Sequence, residues 1–127
     1  MHNAKLRFAN EDKTMENAIE VKSFDFAVRI VNLYKFLCEK NEFVMSKQLL
    51  RCGTSIGANV SEAQRAQTPA DFNAKMNIAL KEANETYYWL RLLKHTDYIS
   101  DTAYTSISSD VKEILALLTS ICKKTNI

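Results

Sequence analysis

Glycine and proline are nearly absent, with two glycines and one proline in 127 residues. A β-rich chain needs far more turn punctuation, so long helices are expected. Histidine is as scarce: His2 opens the chain and His95 stands at an expected helix end, so neither joins a ligand cluster. Cysteine comes to three residues, Cys38, Cys52 and Cys122. An odd number without Cys-x-x-Cys spacing fits neither a zinc site nor a disulfide framework, which leaves buried free thiols in a reducing compartment. No apolar run approaches the roughly 20 residues of a membrane span. The opening "MHNAKLRFANEDKTMENA" alternates charge signs and lacks a signal-peptide core. These absences predict a cytoplasmic protein without metal or cofactor. No sign of charge dominates either. Lys+Arg number 17 against 15 Asp+Glu, a net +2, too balanced to mark a nucleic-acid binder by composition alone.

What is present is helical periodicity on the scale of one domain. Residues 1–20 read as an N-terminal arm, flexible or a short extra helix, ahead of a bundle over 21–127. In "SFDFAVRIVNLYKFLCEK", about 23–40, Ser23 is the expected N-cap. Phe26, Ile30, Leu33 and Leu37 form one face there, with Ala27, Val31, Tyr34 and Cys38 as a second apolar row. So wide a face predicts contact with several helices or another subunit. The second helix is placed at about 44–65, with Leu49, Cys52, Ile56, Val60 and Ala63 inward. "TPAD" starts the third, about 69–94, with Thr68 as cap, Pro69 at the first position and Asp71 at the positive end of the dipole. In the fourth, about 101–124, Ile107, Val111, Ile114, Leu118 and Ile121 alternate at four and three, the seam of nearly parallel helices. Ser100, Asp101 and Ser109 are each able to cap it. The prediction is all-α: an antiparallel up-down-up-down four-helix bundle.

The two glycines, Gly53 and Gly57, pose a direct choice between a phosphate loop and a packing seam. A P-loop needs Lys-Ser/Thr after its second glycine, but Ala58-Asn59 follows here; a dinucleotide fingerprint needs a third glycine. Four-residue spacing on a helix instead lines up Gly53, Gly57 and Ser61 on one flank and lets a neighbouring backbone approach. Each helical glycine costs about 1 kcal/mol relative to alanine, which close packing must offset.

Several side-chain groups invite chemistry. Glu62, Glu82 and Glu85 suggest a carboxylate-bridged metal centre, yet such a centre needs Glu-x-x-His on two helices and no helix here supplies the histidine. Ion pairing with Arg51, Arg65, Lys81 or Arg91 is the plainer role. Ser55 and Asn59 lack a catalytic base and are expected to hydrogen-bond between helices, fixing register. Tyr87, Tyr88 and Trp89 point about 100° apart on a helix and cannot form one stacking platform; Tyr87 and Trp89 are assigned to the core or an interface. Lys47, Arg51 and Arg65, extended by Lys75 and Lys81, make the candidate nucleic-acid-binding stripe.

Three stretches carry a resemblance: "KSFDFAVRIVNLYKFLCEK", "FVMSKQLLRCGTSIGANVSEAQRAQTPADFNAKMNIALKEANETYYWLRLL" and the heptad-like tail. Over about Val21 to Lys124 they resemble the four-helix-bundle family encoded by intervening sequences in bacterial 23S ribosomal RNA genes. The resemblance implies a homo-oligomer, a pentameric ring, and no established activity. It also implies kinship with an accessory protein of diversity-generating retroelements that binds a reverse transcriptase and nucleic acid through a basic surface. A net +2 per chain becomes +10 in a ring of five, so repeated stripes offer multivalent, salt-sensitive contact with phosphates. The expectation is a non-enzymatic, oligomeric scaffold or binding protein with RNA as the favoured ligand. The alternative is a protein–protein adaptor without a nucleic-acid role.

Overall fold

The structure, a computed structural model, describes residues 10–125, with side chains from residue 13 onward. It contains four helices among the described residues: α1 (Asn10–Glu39), α2 (Met45–Ala63), α3 (Pro69–His95) and α4 (Asp101–Thr125). Each packs against two neighbours: α2 lies between α1 and α3, and α4 between α3 and α1. Along α1 and α4, Lys22 pairs with Glu113 and Arg29 with Asp110; along α2 and α3, Glu62 pairs with Lys75 and Arg51 with Glu82. In each couple residue numbers climb on one helix as they fall on the other.

α1 starts far upstream of Ser23. Ser23 sits buried in mid-helix and its hydroxyl donates to the Glu20 carbonyl at 3.2 Å, so it is not a cap. The physical reason is a seam that keeps its four-three rhythm backwards from Phe26 through Ser23, Ile19 and Glu16, all buried. Two of those positions are polar, which hides the pattern from a hydrophobicity reading. Residues 1–9 of the expected arm lie outside the described residues.

The inner stripes of α2 and α4 are buried as their periodicity requires, from Leu49 to Ala63 and from Ile107 to Ile121. Phe26, Phe72, Met76, Leu90 and Leu118 are among the large side chains closed off completely. Thr68 caps α3 by accepting from the Asp71 amide at 3.0 Å, and Ser100 caps α4 by accepting from the Ala103 amide at 3.1 Å. α2 has no capping side chain at Val44. Glu42, buried, takes that role from two residues earlier, accepting from the Ser46 amide at 2.7 Å and the Val44 amide at 3.4 Å.

Both short turns that follow α1 and α3 use left-handed residues that are not glycine. Asn41 (φ 61°) ends α1 and Asp97 (φ 66°) ends α3. In each, the amide just past the left-handed residue reaches back to a carbonyl in the last turn: Glu42 to Leu37 at 2.9 Å, Tyr98 to Leu93 at 3.0 Å.

Candidate functional site

The glycines of α2 face α1. A Cβ built on Gly53 would lie 2.8 Å from both Cγ atoms of Ile30, and one on Gly57 would lie 3.2 Å from the Ser23 carbonyl oxygen. Both are helical, neither has positive φ, and among the described residues no strand leads into them. Ser61, a turn further on, is exposed and does not extend that seam.

The candidate basic stripe divides in two. Arg51 is engaged: its guanidinium bonds Glu82 at 3.1 Å and also Glu85, whose carboxylate accepts from Trp89 Nε1 at 3.0 Å. The Trp89 hydrogen bond and the Arg51 contact hold the Glu85 carboxyl below its ordinary range. Lys75 pairs with Glu62 at 3.2 Å. Lys47, Arg65 and Lys81 are exposed and make no ion pair among the described residues. Opposite charges are thus interleaved along the α2–α3 face, and the three glutamates are partners of cations rather than one cluster. Among the described residues no three His, Cys, Asp or Glu side chains gather as metal ligands.

Ser55 and Asn59 correct the register expectation. Ser55 Oγ donates to the Arg51 carbonyl at 2.6 Å and Asn59 Nδ2 to the Ser55 carbonyl at 2.8 Å, both inside α2. Polar side chains one turn from a carbonyl find that partner before a neighbouring helix. A contact that does join helices is Asn73 Nδ2 to Thr125 Oγ1 at 2.7 Å.

Two surface features went unseen in the sequence. On α1, Val21, Phe24 and Val28 are 62%, 68% and 48% exposed and share one outward face, while Phe36 and the Phe43–Val44 step add further exposed apolar groups. Val21, Phe24 and Val28 belong to neither apolar row read from the sequence, although the width of the α1 apolar face did predict contact with several helices or another subunit. On the α3–α4 face, Arg91 and Lys112 each lie 5.7 Å from the centre of the Tyr87 ring, and Lys94 lies 5.1 Å from that of Tyr104. The four-residue step from Tyr87 to Arg91 was the legible signal; the contribution of Lys112 needs the fold.

Among the described residues no helix is long and apolar enough to cross a membrane. Residues 15–120 match the family described as 23S rRNA-intervening sequence protein. A solved structure from Bacteroides thetaiotaomicron, a protein described as of unknown function from the S23 ribosomal protein family, is 63% identical, covering 86% of this chain and 98% of its own, with a TM-score of 0.84. No curated protein matches the sequence.

Proposed function

Because the chain belongs to the 23S rRNA-intervening sequence protein family, we propose that it is a non-enzymatic, self-associating scaffold, an antiparallel up-down-up-down bundle with RNA as its ligand. The observation that carries self-association is the apolar face of α1: a Phe and two Val at helical spacing, each about half or more exposed. Burying such a stripe against another copy removes apolar surface from water at about 25 cal/mol per Å². A ring of five is the assembly that the family resemblance implies.

The test is mass in solution by light scattering. The wild type is expected to run as an oligomer, and Phe24→Glu with Val28→Glu as a smaller species of unchanged helicity. A wild-type monomer at about 100 μM, a level at which any stable oligomer persists, removes the proposal.

RNA as ligand is supported by the family's tie to 23S rRNA intervening sequences and by the exposed cations Lys47, Arg65 and Lys81, which make no ion pair among the described residues. Filter binding of single-stranded and structured RNA across a salt series tests it, with affinity expected to fall steeply as salt rises. The exposed apolar groups also support the second reading, a protein–protein adaptor, which predicts a co-purifying protein and indifference to RNA.

A further inference from the structure

The geometry points to the outer face of α3 and α4, centred on Tyr88, Arg91 and Lys112, as the place where a single-stranded polynucleotide is held; this rests on the RNA reading and assigns it a site away from the α2 stripe. The first support is charge that remains available. Lys22, Arg29, Arg51 and Lys75 are held in ion pairs. Arg91 and Lys112 instead pack on the Tyr87 ring. A ring offers a cation attraction without neutralising it, so the N–H groups keep their charge for a phosphate.

The α4 acids next to Lys112 in sequence are engaged elsewhere. Glu113, beside Lys112 in sequence, is bonded to Lys22 at 2.9 Å, and Asp110 to Arg29 at 2.5 Å. Both belong to the opposite side of α4, facing α1. The Tyr87 hydroxyl is held below its ordinary range chiefly by its hydrogen bond with Tyr104, with Lys112 and Arg91 acting in the same direction. Lys94 is less free, since its end of the face is a groove shared with Asp97 and Asp101.

The second support distinguishes a polynucleotide from an acidic peptide. Tyr88 is 53% exposed and stands edge-on to Trp89, with ring centres 5.2 Å apart and planes at 76°. That contact fixes the ring while leaving a face open. With Arg91, Leu92 and His95 it lines a shallow groove of about 170 Å³. An open aromatic face beside a free guanidinium is the pairing that stacks a base and holds its phosphate. An acidic peptide uses the cations and has no need of the ring.

Access is the third point. α1 packs on α2 and α4 but hardly on α3, so α3 lies diagonally across the bundle. The outer face of α3 therefore points away from the apolar face of α1 and shares no residue with that patch.

The test is fluorescence anisotropy with a single-stranded RNA of about 20 nucleotides, from about 50 mM salt upward. Arg91→Gln with Lys112→Gln is expected to weaken binding at least about tenfold at low salt. It should also flatten the log–log salt dependence by about 1.4, since each single-strand phosphate contact contributes about 0.7. Tyr88→Ala is expected to lose roughly 5- to 100-fold with the salt slope unchanged, and Tyr88→Phe to retain binding. Circular dichroism confirms that each variant is folded. If Lys47→Gln, Arg65→Gln and Lys81→Gln together abolish binding while the α3–α4 variants bind normally, this site is wrong and the RNA reading stands. If the wild type binds no RNA at low salt, both fall. If polyglutamate competes as well as RNA, the polynucleotide assignment is replaced by an acidic protein partner.

Discussion

Replacing Gly53 with alanine sets two quantified effects against each other. In an open helix the change gains about 1 kcal/mol, because glycine alone leaves the unfolded backbone so free. Here the new Cβ meets Ile30 Cγ1 and Cγ2 at 2.8 Å and Cδ1 at 3.1 Å. Ile30 is fully buried and β-branched, so it cannot swing clear without disturbing the core. Overpacking of that kind costs about 1–3 kcal/mol. Gly53→Ala is therefore expected to lose about 1 kcal/mol in net stability, measured by urea unfolding followed by circular dichroism with protein concentration held fixed. A double-mutant cycle identifies the cause. Ile30→Ala removes both Cγ atoms and costs about 2–5 kcal/mol alone; paired with Gly53→Ala it should cost about 1 kcal/mol less. Ile30→Val keeps both Cγ atoms and should show almost no coupling. At Gly57 the obstacle is the Ser23 carbonyl at 3.2 Å, a contact a few tenths of an ångström too tight, so alanine there should come out near neutral. Gly53→Ala that stabilises by about 1 kcal/mol, or strictly additive energies with Ile30→Ala, would refute the packing argument.

Three other outcomes are expected. Glu42→Ala removes the acceptor of the Ser46 amide and should cost about 1–2 kcal/mol in thermal or urea unfolding, whereas Glu42→Gln, which keeps an oxygen there, should cost less. Glu85, whose carboxyl is held low by Trp89 and Arg51, adds stability that is fully present above its ordinary value near 4.5 and is lost as pH falls through its lower folded value. The wild type should therefore lose its advantage over Glu85→Gln on acidification, and since the pair is largely exposed the difference should stay within about 1 kcal/mol. Among the thiols, half-buried Cys38 should react first with Ellman's reagent. Cys52 and Cys122, buried and pushed up by desolvation, should wait for unfolding.

Helix number and the inward stripes were legible because period-3.6 burial is written directly into residue type. Thr68-Pro69 marked the start of α3 because capping chemistry is local. Ser23 misled because a hydroxyl at a seam position and a hydroxyl at a cap look alike until the upstream turns are placed, and here Ile19 and Glu16 continue the seam. The candidate basic stripe was legible as residue type but not as charge. Whether Arg51 faces solvent or two glutamates depends on how α3 is seated against α2, a distance no single-helix pattern contains. The α3–α4 cations were hidden likewise, because Tyr87 receives Lys112 from a helix about 25 residues away.

The near absence of glycine also acquires a meaning it lacked as composition. Among the described residues, the two positions where the backbone turns left-handed are filled by Asn41 and Asp97, residues whose short polar side chains tolerate that region at modest cost. The two glycines sit where φ is ordinary and only the missing side chain matters. Flexibility is thus not what they supply. They supply depth, letting the Ile30 side chain and the Ser23 backbone of α1 settle into α2. That approach holds α1 by one side and leaves Val21, Phe24 and Val28 on the other, facing outward. If α1 is fixed that firmly, its apolar face is presented as a rigid stripe that needs no ordering on association, so less of the binding free energy is offset by lost entropy. A Gly53 variant that loosens α1 should therefore weaken self-association even though Gly53 faces the inside of its own bundle, whereas Gly57→Ala, near neutral in stability, should leave it unchanged.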